Sequence, residues 1–253
     1  MNPDEPKERR RFPIFLEIVI VLIAAALLAA LLVPSVFHNT NAYRIAHARN
    51  EMINLVAAIS QYQTEYGKLP ASDNVVGSPD FTFGTFGTSD EALGITNSSG
   101  YQANNSEVMS ILMDVAAFSD GKPTVNVRHG LNPQNIVFLN VKMTSNTNSP
   151  GLGPDNVYRD PWGHPYIITI DVNGDKKCRD AFYRLASVSE NASVLGSKSY
   201  LLRAPPPYDS DEARDSFEVP NVTVTIWSFG PDGKADKMQK ANEGVNKDNI
   251  TSW

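Results

Sequence analysis

The sequence predicts an α+β fold in which a long N-terminal helix, half transmembrane and half amphipathic, packs on an antiparallel β-sheet. Residues 13–33 are apolar with a single charge, Glu17, and an apolar stripe at helical spacing follows them. The C-terminal half then contains short segments rich in Ile, Val, Thr and Tyr. One long helix followed by strands is typical of α+β proteins with an antiparallel sheet.

Residues 13–34 are predicted to form a transmembrane helix. About 20 apolar residues suffice to cross the hydrocarbon core of a bilayer as a helix. Basic residues cluster directly before this stretch, and none follows it until Arg44. The positive-inside rule therefore predicts a single span with a cytoplasmic N-terminus. A cleaved secretory signal that ends near Ala42 is the alternative interpretation.

Residues 35–70 are predicted to continue the helix as an amphipathic segment. Gly67 ends the apolar stripe, and Pro70 prevents an easy restart of the helix. Pro34 can kink a helix while both halves stay helical. The stripe follows alternating steps of three and four residues, which is typical of an amphipathic helix, and consists of Ile45, Ala48, Met52, Leu55, Ile59, Tyr62 and Tyr66.

Residues 71–253 are predicted to form one globular domain, and residues 1–12 a leader-like segment. Residues 71–105 are rich in Gly, Ser, Thr and Asn, which indicates a long loop. A short helix is predicted after this loop, at residues 105–113. Strands are predicted where β-branched and aromatic residues concentrate between turn residues, namely at residues 136–143, 166–172, 181–188 and 222–229.

Composition excludes several classes of function. The net charge of -6 provides no basic footprint, so we expect no binding of nucleic acid. Cys178 is the only cysteine, which rules out an internal disulfide. The four histidines are scattered, and neither a P-loop nor a nucleophile elbow occurs. We therefore predict no catalytic residues and no enzymatic activity.

Several motifs occur in a fixed order along the chain. They are Phe15-Leu16-Glu17 with a later Pro34, Tyr66-Gly67-Lys68-Leu69-Pro70, Asp160-Pro161-Trp162-Gly163-His164-Pro165-Tyr166, Ser228-Phe229-Gly230-Pro231-Asp232-Gly233, and the final segment 248–253 with Trp253. Together they resemble the type IV pilin-like proteins, and especially the major pseudopilins of type II secretion. The Asp-Pro-Trp-Gly turn and the terminal tryptophan are the most specific pair.

The resemblance implies a pilin-like fold and a structural role in protein export. The chain would assemble into a filament through its hydrophobic N-terminal helix, beside other pseudopilins and inner-membrane secretion components. It would be located at the bacterial inner membrane, with the globular domain in the periplasm. The alternative is a membrane-anchored periplasmic binding or sensing domain that does not polymerise.

Two features near the N-terminus bear on assembly. In the family the leader is cut after a glycine and the new N-terminus is methylated, and the corresponding bond here joins Phe12 to Pro13. The resemblance implies that Glu17 directs assembly by pairing with a positive group of another subunit. The alternative for Glu17 is a position near the lipid headgroups, where a carboxylate stays hydrated.

The resemblance further implies a calcium site in the C-terminal loop, since calcium prefers hard oxygen ligands. Asp236 is a possible substitute ligand, and the alternative is a solvated polar tail with Trp253 as a hydrophobic plug. The implied ligands are the main-chain oxygen of Phe229, the carboxylate of Asp232, and oxygens around Asp248 and Asn249.

A second oxygen-rich segment runs from Asp171 to Lys177. Asp171, Asn173 and Asp175 have the 1, 3, 5 spacing of an EF-hand-like loop. Phe182 occupies the twelfth position, where calcium loops of that class carry an acid. A plain turn between two strands is therefore the expected structure here.

Overall fold

The computed structural model describes residues 14–72, 80–84, 104–190, 210 and 214–253; within the first helix, the side chains of residues 14–17 and 28–39 are not described. The chain divides into two compact units, residues 1–43 and residues 44–253. The predicted leader segment, with its cleavage site at Phe12 and Pro13, lies outside the described residues.

The helices of the described part are α1 (Ile14–Tyr66), α2 (Ser106–Leu112) and α3 (Ala186–Ser189), with 3₁₀ turns at Val127–His129 and Gly244–Asp248. The stripe predicted for α1 faces the core: Ala48, Met52, Leu55, Ile59 and Tyr62 are all buried. Gly67, with a φ of 68°, follows the helix and donates its N–H to the carbonyl of Gln63 at 2.8 Å. Such a left-handed glycine is a common helix stop.

The predicted transmembrane half of the helix is not borne out. Among the described residues, no helix combines the length and the apolar character needed to cross a bilayer. The fold class predicted from the sequence, a pilin-like fold with a transmembrane helix, is thus wrong, and the described residues form an α+β structure with antiparallel sheets.

Short antiparallel strands form the rest of the framework. They are β1 (Phe81–Phe83), β2 (Gly151–Leu152), β3 (Tyr158–Arg159), β4 (Ile167–Ile170), β5 (Lys177–Cys178), β6 (Val219–Pro220), β7 (Val224–Ser228) and β8 (Ile250–Thr251). The main sheet has the strand order β1-β4-β7-β8, and two smaller ladders pair β2 with β3 and β5 with β6.

Both faces of the main sheet are covered, because successive side chains of a strand point to opposite faces. On β4 and β7, Ile168 and Ile226 belong to the core cluster that contains the α1 stripe. Their neighbours Ile167 and Trp227 belong to a second cluster, built on Phe182, Tyr183 and Phe229. The second cluster adjoins the C-terminal loop.

Three local predictions need correction. Residues 136–142 form no strand; their backbone runs as coil, and Phe138 N–H bonds the carbonyl of Leu112 at 2.8 Å. Residues 181–188 turn and enter α3, because the Asp180 carboxylate accepts the N–H groups of Phe182 and Tyr183, each at 2.9 Å. Phe81–Phe83, predicted as part of a loop, is a buried strand on the sheet edge.

Candidate metal centre

The strand register positions two of the predicted calcium ligands side by side. β7 and β8 pair with Trp227 opposite Thr251 and Ser228 opposite Ile250. The next residues outward are Phe229 and Asn249, both buried. The loop of residues 229–249 therefore begins and ends at one point, just beyond the end of the sheet.

The carboxamide of Asn249 faces main-chain oxygens. One of the two terminal atoms of the carboxamide, either the oxygen or the nitrogen, lies 3.2 Å from the carbonyl oxygens of both Lys234 and Phe229. With the amide oxygen in that position, Nδ2 donates to the hydroxyl of Tyr183 at 3.3 Å, and three oxygens converge without a proton between them. With the amide reversed, its nitrogen donates to both carbonyls at 3.2 Å, and these hydrogen bonds satisfy the carboxamide without an ion. The two orientations place an oxygen or a nitrogen at the same point.

The convergent oxygens suit a calcium ion. Two oxygens that each lie about 2.4 Å from Ca²⁺, about 85° apart, are about 3.2 Å from each other. With its oxygen outward, the Asn249 carboxamide has this separation from Lys234 O and Phe229 O. That orientation offers three candidate donors for a hard cation, and Lys234 O is one that the sequence did not indicate. A main-chain oxygen carries no sequence signal.

The two aspartates of the predicted site occupy different positions. Asp232 is exposed, and its Oδ1 accepts the N–H of Lys234 at 2.9 Å. Its own N–H donates to Oδ2 of Asp248 at 3.3 Å, which brings the two ends of the loop together. One carboxylate oxygen of Asp232 thus accepts a backbone hydrogen bond within the turn. The Asp248 carboxylate lies next to the same turn, where it accepts the N–H of Asp232.

Asp236 does not substitute as a ligand in this arrangement. Its Oδ1 accepts the N–H of Met238 at 2.8 Å, and its Oδ2 accepts the Gln239 side chain at 2.7 Å. Asn246 fixes the same turn from within, because its amide donates to the carbonyls of Asp236 and Gln239 at 2.7 and 2.8 Å. Both oxygens of Asp236 therefore serve the turn.

Few charged ligands are available to the centre. In the part of the chain that the structure describes, no group of three or more His, Cys, Asp or Glu side chains is placed to hold a metal. The donors are mostly neutral oxygens, and calcium affinity decreases when fewer carboxylates coordinate the ion. A bound ion would consequently be held weakly, with a Kd on the order of 10⁻⁴ to 10⁻³ M.

The Asp-Pro-Trp-Gly turn supports the start of the loop. The buried Asp160 accepts the N–H groups of Trp162 and His164 at 2.9 and 3.0 Å, as expected for a capped turn. Its second oxygen accepts the hydroxyl of Ser228, whose Oγ accepts the N–H of Gly230 at 3.0 Å. The turn in mid-chain therefore fixes the residues on either side of Phe229.

His164 lies against the loop rather than in a catalytic arrangement. A side chain at position 233 would collide with its imidazole, so the left-handed Gly233 (φ 66°) leaves room for the ring. Nδ1 is 3.8 Å from Oδ2 of Asp160, too long for a hydrogen bond. The direct interaction of its ring with the Asp160 carboxylate raises the pKa of His164; burial opposes this shift, and the negative charges of Asp160 and Asp232 add to it.

Trp253 supports the alternative interpretation of the tail as well. Its ring packs edge-on against Tyr183, with 5.1 Å between ring centroids, and it contacts the second core cluster. This plug contributes to closing the tail whether or not an ion is bound.

The Asp171–Lys177 segment is a turn that satisfies its own polar groups. Asp171 accepts the N–H groups of Gly174 at 2.6 Å and Lys176 at 2.9 Å. Asn173 and Asp175 each accept the N–H two residues further on, at 2.9 Å. Since the side-chain oxygens are used by the backbone, we assign no metal site here.

Glu17, the residue predicted to direct assembly, lies within α1, but its side chain is outside the described residues. Its role stays a prediction.

Comparisons with known proteins leave the family open. No family model, curated protein or solved structure matches this chain significantly.

Proposed function

We propose that the chain is a structural subunit of a type II secretion pseudopilus, or of a related pilin-like filament, with a C-terminal loop closed by calcium. The observation that carries the proposal is the convergence of Phe229 O, Lys234 O and the Asn249 carboxamide, where the family resemblance implies a calcium site. The bound ion supplies loop closure and no chemistry of reaction. The chain is not an enzyme in this proposal.

The apolar N-terminal part of α1 supports an assembling subunit. Contiguous exposed apolar surface marks a site of interaction. Within residues 18–27, the large side chains that are more than half exposed are Ile18, Ile20, Val21, Leu22, Ile23 and Leu27. The proposed partners of this stretch are copies of the same chain and other pseudopilins, at the bacterial inner membrane with the globular part in the periplasm.

Assembly can be tested with two matched variants on one helix. Leu22 and Ile53 are both 62% exposed, and each is changed to Asp in the full chain. We expect Leu22→Asp to abolish filaments seen by electron microscopy and secretion of cargo in cells, because a charge cannot pack between apolar helices. Ile53→Asp is expected to retain more of both.

Two outcomes would contradict the proposal. A chain that stays monomeric in mild detergent, and forms no filaments under any condition, would instead support a binding or sensing domain. Equal assembly by wild type and Leu22→Asp would remove the helix from the assembly interface. Glu17→Ala, compared with Glu17→Gln, tests whether the charge at that position contributes.

A further inference from the structure

Asp80, directly before the edge strand β1, is buried, and the described residues do not supply a full set of hydrogen-bond partners for its carboxyl. It is only 2% exposed. Its Oδ2 accepts the N–H of Arg179 at 2.6 Å, and among the described residues its Oδ1 has no hydrogen-bond partner. An ionised carboxylate in such a site is costly, since burial removes water without replacing its hydrogen bonds.

The groups around Asp80 are mostly of its own sign. Negative charge comes from the turn after β4 and from the residue before β6, and the thiol on β5 is neutral because burial raises the pKa of Cys178. The side chains of Lys177 and Arg179 form ion pairs with Glu218 rather than with Asp80. The titratable groups that act on Asp80 are Asp171, Asp175, Glu218 and Cys178. Glu218 itself is paired with Arg179 Nη2 at 2.7 Å and with Lys177 Nζ at 3.4 Å.

Beyond the proposed function, we infer that Asp80 is a proton-controlled latch between β1 and the segment after β5, closed when the carboxyl is protonated and loosened when it ionises. The latch has two bonds: Asp80 accepts the N–H of Arg179, and Thr82 Oγ1 accepts the N–H of Ala181 at 3.0 Å. Only Asp80 titrates. Ionisation strengthens its bond with the N–H of Arg179, so the latch loosens because the buried charge has no other partner among the described residues and lies near Asp171, Asp175 and Glu218.

The pH range follows from the surroundings of the carboxyl. Burial raises the pKa of Asp80 to about 7; the bond from Arg179 opposes this shift, and the charges of Asp171, Asp175 and Glu218 add to it. An open, hydrated Asp has a pKa near 3.9. The closed state therefore binds the proton more tightly, and its advantage is lost as the pH rises toward about 7.

Amide hydrogen exchange of β1 in the full chain tests the latch. After correction for intrinsic exchange rates, we expect the opening constant of Phe81–Phe83 to rise by up to about tenfold per pH unit between about pH 5 and 7, and to level off above. Asp80→Asn, which keeps the shape without the charge, should remove this slope. Thr82→Val removes the bond from Ala181 N–H together with the bond between the Thr82 and Thr169 hydroxyls, and it should raise opening at every pH while it preserves the slope.

Three results would overturn the latch. One is an opening constant in wild type that does not change with pH, and another is an unchanged slope in Asp80→Asn. If Asp80→Asn fails to fold, carboxyl carbon NMR of the wild type decides: a titration midpoint near 7 for Asp80 supports the latch, and one below about 5 contradicts it. None of these readouts depends on assembly or calcium, so the latch and the proposed function fail separately.

Discussion

The hydroxyl of Ser228 donates a hydrogen bond to the Asp160 carboxylate, and both side chains are fully buried. The bond joins a turn in mid-chain to the last residue of β7. Since Ser228 Oγ also accepts the N–H of Gly230, one hydroxyl satisfies polar groups on both sides of Phe229. The backbone that leads into the candidate metal centre is thereby held in place.

Ser228→Ala should destabilise the protein by about 1–3 kcal/mol. The change leaves an oxygen of Asp160 and the N–H of Gly230 buried without their partner, and such groups cost this amount. Ser60→Ala is the control, because Ser60 is exposed and its hydroxyl donates to the carbonyl of Val56 within α1; we expect a change within about 0.5 kcal/mol there. Equal losses in urea denaturation would contradict the role assigned to Ser228.

Gly230→Ala should destabilise the loop by about 3 kcal/mol. Gly230 has a φ of 68°, and an added Cβ would collide with the carbonyl of Asp248, so strain and steric conflict add together. Gly174 is the matched control, with a φ of 77° and nothing within 4 Å of an added Cβ. Its change to Ala should cost about 1 kcal/mol from backbone strain alone. Similar unfolding midpoints for the two variants would show that the loop does not need this close approach.

The sequence predicted the elements whose pattern is local. The α1 stripe, the short helix α2 and the strands β4 and β7 each carry a clear period or a run of β-branched residues. Residues 136–143 carry the same kind of run, but in the part of the chain that the structure describes their backbone pairs with no strand as a ladder, apart from an isolated bridge at Met143. A local apolar pattern indicates that a segment is buried, whereas pairing with another strand decides whether that segment forms a β-strand.

The loop of the candidate metal centre could be predicted only in part. Phe229 and Asn249 were predicted as neighbours through the family resemblance, and the β7–β8 register explains their proximity. Lys234 O and the turn around Asn246 depend on tertiary contacts, which leave no pattern in the sequence. Asn105 is a similar case: its side chain bonds the backbone of Tyr158 and Tyr166, and these are contacts that the sequence did not indicate.

Asn249→Asp distinguishes a cation from a simple amide contact. If a cation joins Asn249 to the two carbonyls, the added charge should tighten calcium binding by about tenfold, measured by titration calorimetry, since affinity rises with carboxylate count. If the amide nitrogen instead donates to both carbonyls, the carboxylate loses these bonds. The variant would then lose about 2 kcal/mol of stability with or without calcium, which would contradict the ion.

Asp114→Asn should reduce the loss of stability in acid. Burial alone would raise the pKa of Asp114, but hydrogen bonds from His129, Asn135 and Asn126 outweigh it and lower the pKa. The lowered pKa means that the native state binds this proton less tightly, so stability is present above about pH 4 and is lost as the pH falls through the native value.

Urea denaturation at about pH 2.5 and 5 measures this contribution. We expect a smaller difference between the two pH values in Asp114→Asn than in wild type. Asp120→Asn is the control: it replaces an exposed carboxylate that pairs with Lys122 at 2.7 Å, and such surface pairs contribute little. An unchanged pH dependence in Asp114→Asn would contradict the role of its hydrogen bonds.

The central claim, that a divalent cation closes the C-terminal loop, is tested most directly by thermal unfolding of the full chain in calcium and in chelator. At a calcium concentration of about 100 times the Kd, binding adds about 2.7 kcal/mol, or about 5–10 °C for a protein of this size. We predict such a rise with calcium, and a smaller rise in Asn249→Ala. Equal midpoints for the wild type in the two conditions would contradict the account.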